Sequence, residues 1–74
     1  MAAKLEDGWL RVPYTGPEIT LIEIGLSGDW HPAFLDWAGG QRVAQIRPPA
    51  GLAGSFTVAV RGGGRTVQHG QVRL

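Results

Sequence analysis

Ser27, Asp29 and His31 alternate along the chain, a spacing that puts a hydroxyl, a carboxylate and an imidazole on one side of an extended segment. These are the groups of a hydrolytic site, in which a base activates the serine and a third group orients the base. Gly28 and Pro32, however, mark a loop, where serine and aspartate serve as turn formers. The other serine and histidine, Ser55 and His69, bring no acid with them. Zinc needs three or four ligands, and two histidines 38 positions apart without cysteine do not supply them. Six carboxylates could furnish a glycosidase pair, but so small a chain offers little cleft to hold a sugar between them. Gly62-Gly63-Gly64-Arg65-Thr66 has the glycines of a phosphate loop without its lysine or spacing, and it opens a strand instead of a helix. The expectation is a chain that is not an enzyme and has no cofactor or metal site.

Binding chemistry is better represented. Five arginines in a β-rich half could line a groove for single-stranded nucleic acid. A net charge of +1 and a pI of about 8.4 fall short of a dedicated binder, so nucleic acid is an unlikely partner. Trp9, Trp30 and Trp37 serve a core or an interface by default, each indole burying on the order of 200 Å². Trp30, in Gly28-Asp29-Trp30-His31-Pro32, is expected at a loop tip, where it could anchor a protein or stack on a sugar. Arg61 and Arg65 flank the Gly62-Gly63-Gly64 turn and are expected to project at one hairpin tip. There they would grip a partner carboxylate, or act as solvated gatekeepers against edge pairing.

The elements that must position these residues are short. Glycine and proline recur with the rhythm of an all-β sandwich or barrel. Trp9 to Tyr14 alternates, and Pro13 requires that strand to lie at an edge or to end there. After a Thr15-Gly16-Pro17 turn, Glu18 to Leu26 reads as a central strand with Ile22, Ile24 and Leu26 on one face and Ile19 and Leu21 on the other. Ala33 to Ala38 and Gln41 to Arg47 read as a strand pair about Gly39-Gly40, although Trp30, Phe34 and Trp37 also fit a helical turn near Pro32. Pro48-Pro49-Ala50-Gly51 is a crossing or turn segment that cannot continue a ladder. Ser55 to Arg61 and Arg65 to Leu74 form the clearest hairpin, with a bulge expected at Gly70 because Val67 is out of phase with Val72 and Leu74. The fold class is all-β, a small antiparallel sandwich or barrel of five to six strands, with residues 1–8 as an N-terminal arm and 9–74 as a single β domain.

Seventy-four residues bury only about 60% of the surface their unfolded chain exposes. Without cysteine, no disulfide compensates for the small core, so self-association is expected. Residues 1–40 carry two basic and six acidic side chains, while 41–74 carry five arginines and no acid. That division predicts either cross-strand ion pairs or a bipolar surface that docks head to tail. The first residues lack an apolar leader, and Ile19 to Leu26 is far shorter than the roughly 20 residues of a membrane span. A mature start, no membrane and a cytoplasmic location are the corresponding expectations.

Gly51-Leu52-Ala53-Gly54-Ser55-Phe56-Thr57-Val58-Ala59-Val60 resembles the penultimate strand and preceding corner of small immunoglobulin-like or fibronectin-like sandwich domains. The chain lacks the paired core cysteines of true immunoglobulin domains and is shorter than their roughly 100 residues. The architecture also resembles decoration or tail-associated proteins of tailed-phage virions. That resemblance implies a structural module docking on capsid or tail proteins and located in the virion; the residues expected to make the docking contact are Trp30, His31, Trp37, Arg61 and Arg65. The alternative is a carbohydrate- or small-ligand-binding module that uses exposed tryptophan.

Overall fold

The computed structural model describes residues 3–16, 18 and 21–74. They form seven strands: β1 (Lys4–Glu6), β2 (Trp9–Pro13), β3 (Ile22–Leu26), β4 (Asp29–Ala38), β5 (Gln41–Ile46), β6 (Ser55–Gly62) and β7 (Arg65–Arg73). Four hairpins share one turn chemistry. Asp7-Gly8, Ser27-Gly28, Gly39-Gly40 and Gly63-Gly64 each place two consecutive residues at φ between 53° and 86°. Positive φ at both positions is the signature of a two-residue type I′ turn, whose twist matches that of the flanking strands.

All pairings are antiparallel, and the order across the sheet is β1-β2-β5-β4-β3-β6-β7. The ten-residue β4 is the hinge of this sheet. Asp29 to Ala33 pair with β3, whereas Phe34 to Ala38 pair with β5 on the opposite side. This change of partner curls the sheet into a half-barrel, and β1 and β7 at its two ends come to have Cα atoms within 8 Å of each other. The Gln68 side chain stitches that seam: its amide donates to the Pro13 carbonyl and accepts from the Thr15 N–H at 3.3 Å.

Strand alternation decides what the curl encloses. Leu10 and Val12 from β2, Ile22, Ile24 and Leu26 from β3, Ala44 and Ile46 from β5, Val58 and Val60 from β6, and Val72 from β7 form one buried cluster. Tyr14 joins them, and burial raises its phenol pKa above the ordinary value. Each of the larger aliphatic side chains contributes on the order of 1.5–3 kcal/mol by leaving water.

The all-β antiparallel class agrees with the sequence, as does the single buried face of Ile22, Ile24 and Leu26. Four details differ. Lys4–Glu6 adds a strand too short to show alternation. Trp30-His31-Pro32 is strand, not loop: the tight Ser27-Gly28 turn lets β4 begin at Asp29. Pro32 is tolerated because β5 joins only at Phe34, leaving β4 flanked on one side there, and no helical turn forms. The bulge falls at Val67, not Gly70: Gly70 stays in register with Val58, and the pairing slips between Gln68 opposite Val60 and Thr66 opposite Arg61. Pro17 of the expected turn, and Ile19 and Thr20 of the expected second segment, lie outside the described residues.

Candidate functional site

The outer face of the half-barrel carries the side chains that could meet another molecule. Trp30, Pro32 and Phe34 alternate along β4 on that face, opposite Gly25 and Glu23 of β3. Gly63 donates to the Leu21 carbonyl at 3.4 Å, extending the pairing of Ile22 with Gly62 by one residue. Leu21 directly precedes Ile22, whose partner Ala33 directly precedes Phe34. Leu21 is 61% exposed and Phe34 64%, while the apolar residues of the opposite face are buried. The result is an apolar strip over the middle of the sheet.

Beside it stands a four-part stack. Three adjacent carbons of the Trp30 six-membered ring would lie 3.0, 3.2 and 3.2 Å from a Cβ on Gly25. An edge-on ring would leave the outer two carbons much farther off than the middle one, so the ring lies face-down on the glycine. The Arg61 guanidinium carbon lies over the ring, 4.0 Å from its centroid. Arg61 Nε in turn donates to Glu23 Oε1 at 2.8 Å, and the two residues are directly opposite in the β3–β6 register. Arg61 is therefore not a free group at the hairpin tip as the sequence suggested, because its register partner Glu23 draws it onto the sheet. Trp30, expected on a loop tip, lies instead within β4, its ring against Gly25 and under Arg61 while the side chain stays 38% exposed.

The other anticipated residues are dispersed by the same alternation. His31 follows Trp30 and so faces the opposite side, across from Ile24, with its Nε2 buried and without a hydrogen-bond partner. Trp37, 68% exposed, sits near the end of β4 opposite Arg42. Arg65 opens β7, exposed and with no side-chain partner among the described residues. Only Trp30 and Arg61 are brought together. Phe34 and Leu21 escaped the sequence reading as site residues, although Trp30-Pro32-Phe34 is itself a two-residue alternation.

Next to the strip, a polar ladder crosses four strands. Glu6 accepts from Arg11 Nη1 at 2.6 Å and pairs with Lys4 at 3.3 Å. Arg11 Nε donates to Gln45 Oε1 at 3.1 Å, and Gln45 donates to Asp36 Oδ2 at 3.4 Å. The Arg11 hydrogen bond, then Lys4, holds the Glu6 carboxyl below its ordinary pKa. On β5, Arg42 pairs with Glu18 and donates to the Gly16 carbonyl at 3.1 Å. Among the described residues no three histidine, cysteine, aspartate or glutamate side chains gather as a metal site, and no helix is long and apolar enough to cross a membrane.

Comparison with protein-family models, with curated proteins and with solved structures finds no match to this chain. The immunoglobulin-like resemblance thus rests on residues 51–60 alone.

Proposed function

We propose that this chain is a non-catalytic docking module that binds a larger protein assembly through the outer face of β4 around Phe34. The supporting observation is the strip of Leu21, Pro32 and Phe34 left exposed beside a tryptophan already fixed by Gly25 and Arg61. A rigid aromatic cluster loses little conformational entropy on binding, and burying Phe34 alone would contribute on the order of 1.5–3 kcal/mol. The finer reading, an accessory protein of a tailed-phage virion, draws on small size, glycine-built hairpins and the resemblance at residues 51–60. It requires many copies on a symmetric shell or tube.

The test is sedimentation of the tagged chain in an extract of its source cells. Docking predicts that it travels with a large particle and that Phe34→Ser returns it to the slow fractions with its circular dichroism unchanged. A wild-type chain found only in the slow fractions would sink the proposal.

A further inference from the structure

The charged side chains, taken one by one, leave a remainder. Glu6, Asp7, Glu18 and Glu23 each have a cationic partner, and Asp36 bonds to the Trp37 N–H and to Gln45. Lys4, Arg11, Arg42 and Arg61 are their counterparts; Arg47 stacks on Trp9 at 3.9 Å and Arg73 donates to Ser55 at 3.4 Å. Among the described residues, one carboxylate and one guanidinium have no side-chain partner: Asp29 and Arg65.

These two cannot satisfy each other within one chain. Asp29 is opposite Leu26 at one end of β3, and Arg65 is opposite Gly62, which is opposite Ile22 at the other end. Three strand spacings, about 14 Å, separate β4 from β7, and four residues along β3 add about 13 Å in the perpendicular direction. Their surroundings also differ in shape. Asp29 lines a groove of about 280 Å³ shared with Ser27, Trp30, Thr57, Ala59 and His69. Arg65 follows Gly63-Gly64, a turn with no side chains to widen it.

We propose that two copies of this chain associate head to tail, the β6–β7 tip of one placing Arg65 in the groove of the next against Asp29. This deepens the docking reading and rests on it, naming a second copy as one partner. In this head-to-tail arrangement the tip of one copy meets the groove of the next, so the contact is heterologous and repeats as a ring or an open row. The interface is small, and its attraction is largely one guanidinium–carboxylate pair, so association is weak and falls with added salt.

Sedimentation equilibrium over a range of concentrations at low and high salt tests it. Arg65→Glu or Asp29→Lys should each weaken self-association at least about tenfold, and the exchange Arg65→Asp with Asp29→Arg should restore it to within about threefold. Asp29→Asn guards against damage to the neighbouring turn and should weaken association in the same direction. A monomer at every concentration overturns the proposal, as does association untouched by the charge changes. In the latter case, association lost in Phe34→Ser would leave the docking face standing while removing this contact.

Discussion

Alanine at Gly25 should act in opposite directions depending on what stands across from it. The Gly25 backbone lies outside the left-handed region, so alanine is conformationally admissible there. In a strand interior it should stabilise by about 0.5–1 kcal/mol through the unfolded state. Against that, the new methyl would stand 3.0 Å from a Trp30 ring carbon, well inside the roughly 3.5–4.0 Å of a relaxed carbon contact. The ring cannot lift without displacing Arg61, which Glu23 holds at 2.8 Å. Overpacking of this kind costs about 1–3 kcal/mol, so the net effect is a loss of about 1 kcal/mol. In a Trp30→Ala background the obstruction is gone, and Gly25→Ala should gain its full 0.5–1 kcal/mol. The coupling energy is then about 2 kcal/mol, within the range for residues in direct contact. Urea unfolding followed by far-ultraviolet circular dichroism reads this out. With a slope of about 1 kcal/mol/M, the midpoint should fall by about 1 M in the wild-type background and rise by about 0.5–1 M in the other. An effect of the same sign and size in both backgrounds would refute the face-down stack.

Other positions give independent checks. His31→Leu removes a buried Nε2 that has no partner, so the urea midpoint should hold or rise; a loss above about 1 kcal/mol would point to a hidden bond. Gln68→Leu leaves the Pro13 carbonyl and the Thr15 N–H unpaired at the seam, costing about 1–3 kcal/mol and speeding amide exchange at Thr15. Because its folded pKa is depressed, Glu6 contributes stability that is present above its ordinary unfolded value and lost as pH falls through the lower folded value. NMR shifts of β1 and β2 amides should show that loss, and Glu6→Gln should abolish the pH dependence. Leu10→Ala in the fully buried core should cost about 2–5 kcal/mol, enough to unfold much of so small a protein at ambient temperature.

The strands that could be read from the sequence are those whose apolar residues alternate within one segment. Ile22-Ile24-Leu26 and Phe56-Val58-Val60 state their buried face outright. Two turns are hidden in the sequence for a common reason. Asp7-Gly8 is a strong type I′ signal, but only three paired residues precede it, so no alternation framed it. Ser27-Gly28 was framed on one side only, because β4 reads Asp-Trp-His-Pro-Ala-Phe, with a proline that normally ends a strand. That proline is admitted by the change of partner along β4, which is a property of the whole sheet. The phase change in β7 shows the same limit: parity reveals an extra residue, glycine is the most permissive place for it, and only the pairing identifies Val67.

Charge shows where reading by sum stops and reading by register begins. The opposite signs of the two halves could be counted from the sequence, and they fit both a bipolar surface and a set of internal pairs. Register decides most of it in favour of pairs, since β3 against β6 sets Glu23 opposite Arg61, and Glu18 reaches Arg42 from the segment before β3. Such pairs, part-buried at the surface of the sheet, contribute modest stability, on the order of 1 kcal/mol or less each. Their larger effect is to remove those charges from the surface a partner meets. What remains for recognition is the apolar strip about Phe34 and the two side chains that register left without partners, one in a groove and one on a tip. An interface built from so few groups should be specific through their placement more than through their number, and single substitutions at Phe34, Asp29 or Arg65 should therefore have effects out of proportion to the area they occupy.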